Sequence, residues 1–104
     1  MKPDWKGWKA KAMTTWFASG GGFYSGMRYR KGQITLINYE TLCGNTIHWA
    51  GELKIQSNHI ITFTAESLEE VCDKLGKYIL DKLPAEYHFL QKSIANIFIH
   101  KKGK

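Results

Sequence analysis

The chain has almost nothing from which a disulfide scaffold could be built. Its 104 residues include two cysteines, Cys43 and Cys72, and neither belongs to a CxxC pair. A small secreted domain stapled by disulfides carries more, and a zinc site would have to recruit distant histidines. His48, His59, His88 and His100 have no metal-ligand spacing among them. Both thiols are therefore expected to be reduced and structural, with no metal and no other cofactor. Apolar runs of the ~20 residues that cross a membrane are missing as well. The opening MKPDWKGWKAKAM has lysines but no continuous apolar stretch after them, unlike a secretory signal. A cytoplasmic protein away from membranes is the expectation. Catalytic signatures are also lacking. There is no HExxH, no GxSxG and no paired acid in a glycine-flanked loop, so no catalytic residue is assigned and no enzyme is expected.

Negative charge is scarce where positive charge is dense. Ahead of Gln33 the only acid is Asp4, against Lys2, Lys6, Lys9, Lys11, Arg28, Arg30 and Lys31. The tail KKGK adds three more bases, and the formal net charge is +6. The acids gather instead at Glu66, Glu69, Glu70 and Asp73. A basic first third and tail favour a polyanion or an acidic protein surface as partner. Four Trp, five Tyr and five Phe within a 43% hydrophobic chain exclude disorder throughout. The length fits one small domain over residues 1–104, with flexible ends at 1–3 and 100–104.

Residues 4–17 read as a short helix with Asp4 as its N-cap. Wound at 100° per residue, Trp5, Trp8, Ala12 and Trp16 fall on one stripe, with Lys9 inside it and Lys6 and Lys11 beside it. Such a stripe either docks the helix onto a sheet or presents aromatic anchors to a partner. Gly20, Gly21 and Gly22 must break that helix, and would act as a hinge folding it back on a sheet. Phe23, Ser25, Met27 and Tyr29 then alternate with Tyr24, Gly26, Arg28 and Arg30, the mark of a strand. Lys31-Gly32 is a turn, and residues 33–41 are a second strand closing a hairpin. After Cys43-Gly44-Asn45, residues 46–55 make a third strand, interrupted at Ala50-Gly51. Residues 59–64 make a fourth.

Ser67-Leu68-Glu69-Glu70 is a capping box. Leu68, Val71, Cys72, Leu75, Ile79 and Leu83 follow at helical spacing and form one apolar face. The acids at the start of this helix complement its dipole, so they need no catalytic explanation. Pro84 ends this helix or opens the next. Tyr87, Leu90, Ile94, Ile97 and Phe98 fit a second helix to about Asn96, while SIANIFIH has the β-branched content of a last strand. The expected architecture is α+β: a short N-terminal helix, an antiparallel sheet of about four strands, and one or two C-terminal helices on one face. The order is similar to that of double-stranded-RNA-binding domains, but acids stand where that family has its basic motif.

The stretch ASGGGFYSGMRYRKG is not a phosphate cradle. From Gly21 the P-loop frame puts Met27 and Arg28 where Lys and Ser/Thr belong, and strand follows where a helix N-terminus should face the phosphates. The RNA-recognition signature fails at Tyr24, which stands where Gly or Ala is required. What survives is a strand face with Tyr24, Arg28 and Arg30 together, tyrosine offering stacking and arginine phosphate contacts. The candidate binding residues are Lys6, Lys9, Lys11, Tyr24, Arg28, Arg30 and Lys31, with Trp5, Trp8 and Trp16 as candidate anchors. The expected function is a small non-enzymatic binding protein, nucleic-acid-binding or regulatory. The alternative is an adaptor or inhibitor that binds protein, of the kind mobile elements direct against host enzymes. Weak homodimerisation would follow if the first strand lies at a sheet edge.

Overall fold

The structure, a computed structural model, describes residues 3–17, 22–41 and 47–98; at 14–17, 22–24, 40, 41 and 47 it describes the backbone only. Five strands, β1 (Lys9–Phe17), β2 (Gly22–Lys31), β3 (Ile34–Thr41), β4 (Ile47–Gln56) and β5 (His59–Ala65), are followed by helices α1 (Leu68–Lys82) and α2 (Phe89–Ala95). Single 3-10 turns at Ala85–Tyr87 and Asn96–Phe98 bracket α2. The strands form one antiparallel sheet in the order β1-β2-β3-β4-β5, each paired with its neighbour in sequence. The α+β class and the C-terminal helices are as the sequence predicts. The sheet has five strands rather than four.

The extra strand is the segment read as an N-terminal helix. Its Lys-Ala-Lys-Ala-Met run alternates with period two, and Thr14, Thr15, Trp16 and Phe17 are β-branched or aromatic, which suits a strand. Pairing with β2 along its whole length, from Lys9↔Arg30 to Phe17↔Gly22, overrides the helix propensity of Lys, Ala and Met. The tryptophan spacing belongs to something else. Trp5 and Trp8 bracket a turn in which the Trp8 amide donates to the Trp5 carbonyl at 2.9 Å. Gly7, third in that turn, has φ 89°, the conformation a type II turn demands. Asp4 caps this turn and not a helix, its Oδ1 accepting the Lys6 amide at 3.1 Å. The glycine run therefore does not hinge a helix; Gly22 opens β2, and residues 18–21 lie outside the described residues. With no helix ahead of the sheet, the double-stranded-RNA-binding order is lost too.

The remaining hairpin is as predicted. Lys31 pairs with Ile34 across the two-residue loop Gly32-Gln33, and Gly32 takes φ 60° as the first loop residue of a primed turn must. β4 runs unbroken through Ala50-Gly51, with its only irregularity between Lys54 and Gln56. Gly51 is where α1 comes down on the sheet: a Cβ there would stand 2.6 Å from Val71 Cγ1 and 2.7 Å from Leu75 Cδ1.

Alternation sorts the strands into two faces. Ile34, Leu36, Gly51 and Leu53 share one face, with Tyr29, Trp49, Ile61 and Phe63 beside them. Onto it α1 lays Leu68, Val71, Cys72, Leu75 and Ile79, joined by Leu90, Ile94 and Ile97. Ser67 Oγ accepts the Glu70 amide at 3.1 Å and starts α1 where the capping box predicts. The second helix follows as expected, and residues 96–98 are helical rather than strand. The N-terminal segment completes this layer. The Asp4 amide donates to the Ile97 carbonyl at 2.8 Å. Trp5 lies flat on Tyr29, 3.8 Å away at 4°, and meets Trp8 edge-on at 5.5 Å. Among the described residues, no polar or charged side chain is buried.

Candidate functional site

Among the described residues, no helix covers the other face of the sheet. Its described residues are Lys9, Lys11 and Met13 of β1, Gly26, Arg28 and Arg30 of β2, Thr35, Ile37 and Tyr39 of β3, His48, Ala50, Glu52 and Lys54 of β4, and Ile60, Thr62 and Thr64 of β5. The register sets Lys9 directly opposite Arg30 and Lys11 directly opposite Arg28. All four side chains are exposed. Like charges directly opposite on a sheet are destabilising. Four cations in two such pairs therefore act against folding. With Lys54, this face carries five cations against one carboxylate, Glu52, among its described residues.

The face is hollow rather than flat. A concavity of about 380 Å³ crosses all five strands, from Met13 through Arg28, Arg30, Ile37 and Tyr39 to Glu52, Lys54 and Ile60. Ile37 and Tyr39 of the central strand form its floor. Ile37 is 6% exposed and its partner Ala50 5%, although among the described residues no second layer lies over them. The surrounding long side chains shield them. Ile60, at 53%, is among the most exposed large apolar residues of the chain. Gly26 helps set the shape, because a Cβ there would run into the Asn38 carbonyl of β3. β2 and β3 come together at that point more closely than any other residue would permit. The cross-strand partners of Gly26, Met13 and Tyr39, both line the hollow. Partial burial, then the Glu52 carboxylate, raise the Tyr39 pKa, against a smaller lowering by Arg28. Its phenol therefore stays protonated well above neutral pH.

The predicted candidates divide between the faces. Lys9, Lys11, Arg28 and Arg30 come together on the open face. Lys31 alternates to the helix-bearing side, its Nζ packed over Gly7, and joins Lys9 and Arg30 only at a rim notch. Lys6 is exposed in the turn before β1. Trp5 and Trp8 face away from the hollow and pack with Tyr29 and Trp49. The side chains of Trp16 and Tyr24 lie outside the described residues, as do Cys43 and His100. So do the expected flexible ends, except Pro3, which lines a cleft with Trp49 and Phe98. Sequence reasoning missed Met13, Ile37, Tyr39, Lys54 and Ile60. Met13 fell in the segment read as a helix; for the others the strands were visible, but which side the helices would cover was not.

The other groups that bear on chemistry are placed elsewhere. Cys72 is a free thiol buried under α1. Burial, then the neighbouring Asp73 and Glu69, push its pKa up to about 12, the reverse of a reactive thiolate. His88 Nε2 lies 3.0 Å from the Leu83 carbonyl and ties the interhelix turn. Among the described residues no three His, Cys, Asp or Glu side chains are grouped to hold a metal ion, and no helix is long and apolar enough to cross a membrane. The chain matches no protein-family model, and neither a curated protein nor a solved structure is significantly similar to it.

Proposed function

We propose that the chain is a small nucleic-acid-binding protein whose interface is the open face of the sheet. One observation carries this reading: four exposed cations in two directly opposed cross-strand pairs, on the face that no helix covers. Such an arrangement costs stability in the free protein and is relieved when phosphates settle between the pairs. Lys9, Lys11, Arg28 and Arg30 are the phosphate contacts, and Lys54 supports them from β4. The role is one of binding, not catalysis.

The test is fluorescence anisotropy of a labelled oligonucleotide with the whole chain. Binding at 50 mM salt is expected, weakening about 50-fold by 200 mM for four phosphate contacts to a single strand. The variant R28E/R30E abolishes it. Absence of binding at 50 mM salt, or binding that survives the double reversal, overturns the proposal. In that case an acidic protein retained on the open face after nuclease treatment would favour the adaptor reading.

A second reading, weak self-association, is favoured by the position of β1. Among the described residues it is an edge strand of the sheet, and edge strands offer unpaired backbone groups to another chain. The opposite edge is better guarded, since Lys74 Nζ donates to the Thr64 carbonyl of β5 at 3.0 Å. Sedimentation at increasing protein concentration, with β1 blocked by Ala10→Pro, checks it.

A further inference from the structure

Resting on that reading, we infer that the open face takes a single strand, with the phosphates over β1 and β2 and the bases turned onto the floor of the hollow. The face is divided by charge. Four of its five described cations, Lys9, Lys11, Arg28 and Arg30, stand on the first two strands, while Lys54 shares β4 with Glu52. The floor residues Ile37 and Tyr39 stand on β3, and Glu52, the only carboxylate among the described residues of the hollow, on β4. A phosphate chain running across β4 would meet that carboxylate; one running along β1 and β2 meets cations alone. Backbone on the cationic side then turns the bases toward the floor. Glu52 becomes an asset there, since a carboxylate accepts hydrogen bonds from base amino groups.

A duplex satisfies none of this. Its bases are stacked inside, and it offers the protein mainly sugars and phosphates. Laid on this face, it would press its charged groups against the apolar side chains of Met13 and Ile60, where they lose water without a compensating hydrogen bond. The size of the hollow agrees. At about 380 Å³ it falls within the range of sites that hold one small organic molecule, room for about one or two nucleobases. The floor tyrosine is a stacking surface that any base can use, and its phenol remains neutral because burial and Glu52 raise its pKa. Thr35 and Gln33 line the same hollow and can bond to base edges without enforcing one sequence. The residues along each strand on one face repeat every ~6.8 Å, near the phosphate repeat of an extended single strand.

The experiment compares a labelled 12-nucleotide DNA of mixed sequence with the same strand annealed to its complement, both at 50 mM salt. The single strand is expected to bind at least tenfold tighter. Tyr39→Ala lowers single-strand affinity by about fivefold or more and leaves duplex affinity unchanged. Ile60→Ser, an exposed position whose replacement keeps the fold, moves affinity in the same direction by a smaller factor. Circular dichroism confirms that both variants are folded. Equal or tighter duplex binding overturns the single-strand assignment while the nucleic-acid reading stands. A single-strand preference that neither variant moves overturns the placement of bases on the floor. No binding to either probe overturns the underlying reading itself.

Discussion

On β2, Tyr29 and Met27 turn toward the helices while Arg28 and Arg30 turn away from them, so one strand serves two faces with opposite tolerances. The covered face is closed by shape. Leu36, Leu53, Leu75 and Ile79 are fully buried, and Gly51 leaves no space even for a methyl group beneath Val71 and Leu75. Its aromatic extension is equally specific, with Trp5 stacked on Tyr29 and Trp49 6.3 Å from both. The open face is arranged against stability instead. It sets like charges across from each other and leaves Ile60 in water. A fold that buries no polar side chain among its described residues thus keeps a cationic hollow on the face opposite its packed one.

The comparison can be broken most forcefully on the covered side. Leu36→Ala should cost about 2–5 kcal/mol, as truncations of fully buried leucines do, and urea denaturation would show it as a lower midpoint with unchanged slope. A loss below about 1 kcal/mol would mean that the covered face is not the source of stability. On the open side the sign should reverse. R28E/R30E turns both repelling pairs into attractive ones, each worth about 0.2–1 kcal/mol, so the variant that loses nucleic acid should melt at a higher temperature than the native chain. Should its melting temperature fall, the cations are structural and the separation of the faces is mistaken.

A smaller effect belongs to the helix that closes the covered face. Ser67→Ala removes the acceptor for the Glu70 amide and should cost about 1 kcal/mol, without altering oligonucleotide affinity. The last effect is confined to alkaline solution. The Cys72 thiol has a folded pKa of about 12 against an ordinary 9.0, so the folded state holds its proton more tightly than the unfolded one. Its contribution to stability is whole below pH 9 and is lost as the pH climbs from there through about 12. Thermal melts over that span should fall less steeply for Cys72→Ala than for the native chain.

Much of this frame was legible in the sequence. The Ser67 cap, the α1 face, the Lys31-Gly32 turn and the alternation of β2 are local patterns, and local interactions decide them. The first strand was not legible, because Trp5, Trp8, Ala12 and Trp16 mimic a helical stripe and Lys and Ala favour helix; only the partner strand β2, supplied by the fold, outweighs that. Of the site, Arg28 and Arg30 were readable from their own strand. Joining Lys9 and Lys11 to them required the β1-β2 register. Tyr39, Lys54 and Ile60 required knowing which face the helices leave open, which depends on how α1 meets Gly51.

Gly26 carries a consequence for how such a protein can change. It bears no charge, donates nothing to a ligand and has no side chain to align, yet β2 meets β3 at its backbone, between Met13 and Tyr39. Any larger uncharged residue there must push the two strands apart and spread the hollow without altering the net charge. Variation at this one position would change the form of the hollow proposed to hold the ligand and leave its charge pattern intact.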